Sequence, residues 1–218
     1  MNILIIGAPG TGKGTMSEKL IEKYGIVHVS TGDMLRESVK NGTEVGKKAH
    51  GYMERGELVP DEVIHDIILE RFAQKDMDNG ILMDGYPRTL AQAEDLDSIL
   101  ASLGKKVDCV LNLELDEKIL IERITGRRTC PNCKAIYHIK NMPPKVEGVC
   151  DICGSQLVTR KDDTVESLRV RLDAYHESTK DVIGYYANKG IVKTINADQS
   201  VEKVFADIVE ALDRKSVV

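Results

Sequence analysis

The stretch Ile3-Leu4-Ile5-Ile6-Gly7-Ala8-Pro9-Gly10-Thr11-Gly12-Lys13-Gly14-Thr15 carries four apolar residues into a glycine-rich turn. An unbroken apolar run of that length is how a strand buried on both faces of a parallel sheet reads. Beyond the turn, Met16, Leu20 and Tyr24 share one helical face, and Gly25 follows as a C-cap. Strand, glycine turn and helix in that order predict the first unit of an open α/β sheet. Within the turn, the spacing from Gly7 to Gly12 and Lys13 is that of a phosphate loop. Such glycines let successive backbone N–H groups converge on phosphate oxygens, the helix N-terminus adds a positive dipole, and Lys13 supplies a point charge to the β- and γ-phosphates. The alternative is an ordinary glycine turn. At an average glycine usage near 7%, this spacing arises by chance in roughly a few per cent of chains this long, and the flanking strand, the helix and the additional Gly10 argue against it. The strict motif puts Ser or Thr directly after the lysine. Here Gly14 intervenes, so Thr15 is not expected to ligate Mg²⁺ directly.

Working outward, short apolar runs bounded by turn residues recur at Ile26–Val29, Ile81–Met83, Val107–Leu113 and Ile191–Ile195. Helical patterns separate them, at Ile64, Ile68 and Phe72, at Leu96, Ile99, Leu100 and Leu103 before Gly104, and most clearly at Val201, Val204, Phe205, Ile208, Val209 and Leu212. Alternation of this kind predicts a doubly wound sheet with ligands beyond the carboxyl ends of its strands. Asp84 closes the Ile81–Met83 run and is placed to hold Mg²⁺ through water, although an aspartate there can also be a turn residue or helix cap. Residues 126 to 163 break the pattern and read as an inserted module, and Arg214 to Val218 read as a frayed tail.

The chain has 218 residues, 42% hydrophobic and 30% charged, which is ordinary globular usage for one domain or one domain with an insertion. Thirty basic against 35 acidic residues give a net charge of −5, the wrong sign for a surface that binds nucleic acid or anionic lipid throughout. Any anionic ligand must therefore meet a local cationic site. No apolar run approaches the roughly 20 residues of a membrane span, and the reading is of a cytoplasmic protein with no membrane or nucleic-acid partner.

Four of the five cysteines form two pairs, Cys130/Cys133 and Cys150/Cys153, with zinc-ribbon spacing. Four thiolates complete a tetrahedral Zn²⁺ shell and leave no position for substrate, so the metal is expected to be structural, with iron its competitor for the same sulfur site. Cys109, within an apolar run, is expected in the core.

The motifs Gly7 to Thr15, Ser30-Thr31-Gly32-Asp33-Met34-Leu35-Arg36, Asp84-Gly85-Tyr86-Pro87-Arg88-Thr89, Gly126-Arg127-Arg128 and Thr159-Arg160-Lys161-Asp162-Asp163 together resemble the adenylate kinase family, in its long bacterial form with a zinc-bearing lid. The resemblance runs nearly end to end. It implies a P-loop nucleoside monophosphate kinase fold: a five-stranded parallel core (residues 1–29, 60–125 and 164–218), an AMP-binding insert (30–59) and a zinc-ribbon-like lid (126–163). It further implies a monomer that transfers a phosphoryl group from Mg-ATP to AMP, giving two ADP. By motif, Gly10 to Thr15, Arg123, Arg127, Ile136, Tyr137 and Gln199 fall to ATP. Thr31, Arg36, Glu57, Leu58, Val59, Gly85, Tyr86, Pro87, Arg88 and Gln92 fall to AMP, and Arg160 and Arg171 clamp the phosphates between the two. Lys13, Asp84, Arg88, Arg127, Arg160 and Arg171 form the catalytic set.

Physical chemistry supports the arginines separately, because planar guanidinium groups grip phosphates bidentately and neutralise charge on a transferring phosphoryl group. Arg169 and Arg171 are two helical positions apart and point about 200° away from each other, so only one can enter the cleft. Thr89-x-x-Gln92 is also a capping box, in which the glutamine returns to the cap residue's N–H. No general base is required, since a monophosphate oxygen with a second pKa near 6 is already ionised at pH 7. The five histidines, His28, His50, His65, His138 and His176, form no ligand-spaced cluster and read as structural or exposed. Three rival readings are a nucleic-acid-dependent NTPase, a kinase for UMP, CMP or GMP, and a nucleotide-binding module without turnover. The sparse basic residues between the cysteine pairs, Lys134, Lys140 and Lys145, oppose the first.

Overall fold

A computed structural model describes residues 1–213. The chain begins β1 (Asn2–Gly7), α1 (Lys13–Tyr24), β2 (Val27–Ser30), α2 (Thr31–Lys40), α3 (Glu44–Arg55), α4 (Asp61–Phe72) and, after a 3-10 turn at Lys75–Asn79, β3 (Ile81–Asp84). It continues through α5 (Leu90–Ser102), β4 (Cys109–Glu114), α6 (Glu117–Thr125), β5 (Arg127–Thr129), β6 (Ile136–His138) and α7 (Val165–Ala174). A π-helical turn at Tyr175–Thr179 leads into α8 (Lys180–Ala187), then β7 (Val192–Asn196) and α9 (Val201–Asp213). The expected tail from Arg214 onward lies outside the described residues.

The five apolar runs form one parallel sheet of order β2-β3-β1-β4-β7. β1 is central, and its apolar run is continuous because each face meets helices. Leu4 and Ile6 pack with Ile64 and Ile68 of α4, Leu96 and Leu100 of α5 and Val182 of α8, whereas Ile3 and Ile5 pack with Met16 and Leu20 of α1 and Val204 and Ile208 of α9. Cys109 is buried on that second face, as expected. Three strands start later than the sequence reading set them. Ile26 and Val107 are buried, and Ile191 partly buried, ahead of the ladder rather than within it, so apolarity overran pairing.

The topology brings the chemistry to one edge. Ile5 pairs with Asp84 across β1 and β3, and Gly7 with Leu113 across β1 and β4, so the glycine loop and Asp84 leave the sheet together at its carboxyl end. β5 and β6 form a separate antiparallel pair that carries the cysteine knuckles. No helix among the described residues is long and apolar enough to cross a membrane.

Candidate active site

A cleft of about 1120 Å³ opens at the carboxyl edge of the sheet, above the roughly 300–1,000 Å³ usual for one small ligand. Its wall includes the residues that the sequence reading gave to nucleotides, from Gly10 in the loop through Thr31, Arg88 and Gln92 on one side to Ile136, Tyr137 and Gln199 on the other.

The floor is built by α1, which begins at Lys13 with Gly12 as its cap and no side chain on its free N–H groups. A helix start left uncapped and facing a cleft is an anion site. Lys13 Nζ donates to the carbonyls of Gly7 (2.7 Å) and Ala8 (3.0 Å), which folds the ammonium back over the loop. Burial lowers its pKa to about 8; Asp84 opposes the shift, and Arg88, Arg127 and Arg171 add to it. Gly14, where the strict motif has Ser or Thr, lies under the lid: a Cβ there would sit 2.7 Å from Ile136 Cδ1.

Asp84 ends β3. Burial would raise its pKa, but His28, with Nε2 3.9 Å from Asp84 Oδ2, and Lys13 outweigh that and hold the carboxyl below the usual carboxylate range. An ionised carboxylate beside the phosphate loop fits a hydrated Mg²⁺. His28 itself lines the cleft, a position that histidine spacing in the sequence did not reveal. Next in the chain, Gly85 adopts φ 80 and offers its carbonyl to Thr31 Oγ1 (2.9 Å) and Arg88 Nε (2.8 Å). A Cβ there would come within 3.1 Å of both partners, so glycine is what admits this turn.

Six arginines line the cleft: Arg36, Arg88, Arg123, Arg127, Arg160 and Arg171. Burial first, and repulsion from Arg36 and Arg127 second, lower the pKa of Arg160 to about 10. Burial likewise lowers that of Arg88, with Asp84 opposing and Arg171 and Arg36 contributing. Of the helical pair on α7, Arg171 lines the cleft and Arg169 is exposed. Acidic partners orient several of these forks, and the sequence reading assigned them no role. Arg127 grips Asp163 with two bonds, Arg171 grips Asp162, and Arg36 Nη2 meets Asp33 Oδ1 at 2.6 Å. Burial would raise Asp162, but Arg171 holds it below the usual range. The signals for these pairs were the acidic ending of Thr159-Arg160-Lys161-Asp162-Asp163 and the i, i+3 spacing of Asp33 and Arg36.

Three positions are engaged by the protein itself. Gln92 Oε1 accepts from the N–H of Arg88 (2.8 Å) and its Nε2 donates to Asp61 Oδ1 (2.6 Å). The capping box thus closes one residue earlier than expected, on Arg88 rather than Thr89, and ties Gln92 to the backbone of a cleft arginine. Tyr137 accepts from the N–H of Asp151 (2.8 Å), and its hydroxyl lies 3.5 Å from Cys150 Sγ, which points the phenol at the cysteine knuckles. The Gln199 amide donates to Asn196 O and Asp207 Oδ2, both 2.9 Å.

In the lid, the four Sγ atoms of Cys130, Cys133, Cys150 and Cys153 lie within 4.8 Å of one another. Zn–S bonds of about 2.3 Å in a tetrahedron put sulfurs about 3.8 Å apart, so the cage is the right size for zinc. The two knuckles repeat one design, with Lys134 N–H on Cys130 O (3.1 Å) and Gly154 N–H on Cys150 O (2.9 Å). Both residues are left-handed, at φ 67 and φ 72.

A central phosphate loop, an ionised carboxylate beside it and a set of partly buried arginines, next to a four-cysteine module, define a P-loop nucleotide phosphotransferase. The adenylate kinase family profile matches residues 5–191. The chain is 50% identical over 212 residues to the adenylate kinase of Caldicellulosiruptor saccharolyticus, covering 97% of this chain and 99% of that one. It is 49% identical to the adenylate kinase of Lachnospira eligens (97% and 100% covered) and 50% identical to that of Carboxydothermus hydrogenoformans (98% and 100% covered). The chain belongs to the adenylate kinase family.

Two outcomes follow from this geometry. Lys13 titrates at about 8 in the free cleft, and polyphosphate beside it favours the charged form and raises that value. Nucleotide binding at about pH 8 should therefore draw in part of a proton, read by calorimetry in buffers of different ionisation enthalpy, and Lys13→Gln should abolish the uptake; proton release or no exchange contradicts the assignment. A strong chelator should remove the lid metal and lower Tm, because the cage closes a module with little core of its own. An unchanged melting curve after complete metal removal would contradict the structural role.

Proposed function

We infer that this chain catalyses reversible transfer of the γ-phosphoryl group of Mg-ATP to AMP, giving two ADP, and that it works as a cytoplasmic monomer. The observation that carries the reading is one cleft of about 1120 Å³ in which Lys13, Arg36, Arg88, Arg127, Arg160 and Arg171 lie close enough to repel one another. Residues 30–59 are assigned to AMP, residues 126–163 to a lid over ATP, and the remainder to the core.

An oxygen of the AMP phosphate, ionised at pH 7 without help from the protein, attacks the γ-phosphorus in line. The bond to the β–γ bridging oxygen breaks, and the electron pair leaves with ADP. Lys13 and the loop amides hold the β- and γ-phosphates, Arg88 and Arg36 hold the acceptor phosphate, and Arg127, Arg160 and Arg171 neutralise the charge in flight. Asp84 would hold Mg²⁺ through water, and the bound ion supplies charge neutralisation on the β- and γ-oxygens. Alignment lowers the barrier because both reactants are already positioned. The closed lid excludes water, which would otherwise take the phosphoryl group.

A coupled assay offering AMP, CMP, UMP and GMP as acceptors tests this reading. Rapid ADP formation with AMP, and much slower turnover with the others, is expected. In the same assay Arg88→Ala should reduce kcat by about 10²–10³-fold, the scale for loss of one oriented donor to a developing anion, with little change in Tm. Preference for another acceptor, or near-normal turnover by Arg88→Ala, would overturn it.

A further inference from the structure

His138 is a buried titratable residue that neither the cysteine cage nor the proposed chemistry uses, yet its ring makes three hydrogen bonds across the base of the lid. Nδ1 faces the backbone N–H groups of Lys140 and Asn141, each at 3.1 Å. A backbone N–H only donates, so Nδ1 is an acceptor and carries no proton. Nε2 lies 3.1 Å from the carbonyl oxygen of Glu122, which only accepts, so Nε2 bears the hydrogen. The partners define a neutral ring in a single tautomer.

The position of this ring gives the pattern its meaning. Glu122 lies in the last turn of α6, and its carbonyl also takes the N–H of Gly126 (3.0 Å), where helix gives way to β5. A Cβ on Gly126 would lie 2.3 Å from His138 Nε2, so the ring occupies space that only glycine leaves open. The turn after β6 is bound to the same point: Ile139 N–H donates to Gly126 O (3.0 Å), and Lys140 Nζ meets Glu122 Oε1 at 2.8 Å. Directly opposite His138 in the two-stranded register stands Arg127.

We propose that His138 is a positioning residue whose neutral Nε2–H form pins the 138–142 turn of the lid to the end of α6, fixing the strand from which Arg127 reaches the cleft. The functional half rests on the reading of Arg127 as an ATP-side residue. The charged groups around the ring are Glu122 from α6, Lys140 from the turn and Arg127 from β5. Glu122 pairs with Lys140 and Arg127 with Asp163, so the same turn and strand are tied down beside the ring. Loss of the ring should loosen the ATP side of the cleft and leave the AMP side unaffected.

The test uses the full, metal-loaded chain. Imidazole ¹⁵N shifts should report the Nε2–H tautomer, and in His138→Ala the exchange protection of the Lys140 and Asn141 amides should fall about fivefold, the value of one net hydrogen bond. In His138→Asn the Oδ1 atom replaces the Nδ1 acceptor, so protection should stay close to that of the wild type. The KM for ATP should rise about fivefold in His138→Ala and be largely restored in His138→Asn, with the KM for AMP unchanged in both. An Nδ1–H ring in the wild type overturns the pin even if a variant fails to fold, and so does unchanged amide protection in His138→Ala. Protection that falls while both KM values stay constant overturns the link to Arg127 and leaves the pin standing.

Discussion

Positive charge is buried at the carboxyl edge of a sheet in a chain whose overall charge is negative. Burial lowers the pKa of Lys13, Arg88 and Arg160 together, which means that each is held in its charged form at a cost that neighbouring cations increase. Asp33, Asp84, Asp162 and Asp163 offset part of that cost and fix the directions of the forks. Phosphate oxygens are a better complement, because they meet several guanidinium groups at once and accept the loop amides as well. The parallel sheet provides a rigid edge from which strands, loop and helix start converge on one volume.

The lid follows from a shortage of apolar surface. Its own cluster comprises Cys130, Ala135, Tyr137 and Cys150 with Leu157 beside them, and side chains of that kind each return at most about 1.5–3 kcal/mol on burial. Ordering the backbone of residues 126–163 costs roughly 1–2 kcal/mol per residue. So small an apolar cluster is a weak anchor, and a metal held by the four sulfurs would let the module keep a fixed shape. That shape matters because Arg127 and Ile136 reach the cleft from it. Tyr137 connects the two roles, lining the cleft while directing its hydroxyl at Cys150.

The sheet was legible because parallel strands buried on both faces leave uninterrupted apolar runs, and the phosphate loop and cysteine pairs because their spacing is dictated by ligand geometry. The helices of the 30–59 insert went unread although they carry a signal: Val45, Ala49, Tyr52 and Met53 of α3 lie at helical spacing against the core, with Met34 and Leu35 of α2 beside them. The stripe is short, and Gly46 and Gly51 interrupt the helical pattern around it. The sites were readable where a motif carried the residue and obscure where only three dimensions did. Arg127 with Asp163 and His138 with Glu122 join positions whose separation in sequence has no period. Gln92 was visible as both a cap and a cleft residue, and its amide in fact bridges Arg88 and Asp61.

The claim that one cationic cleft brings two nucleotides together by their phosphate ends is tested most directly by crystallography and competition with a single compound, two adenosines joined through a polyphosphate. One molecule bound per chain, spanning from the 30–59 side to the lid and competing with both ATP and AMP, is the result expected. Binding that displaces only one nucleotide, or density for only one adenosine end in the cleft, would contradict the account.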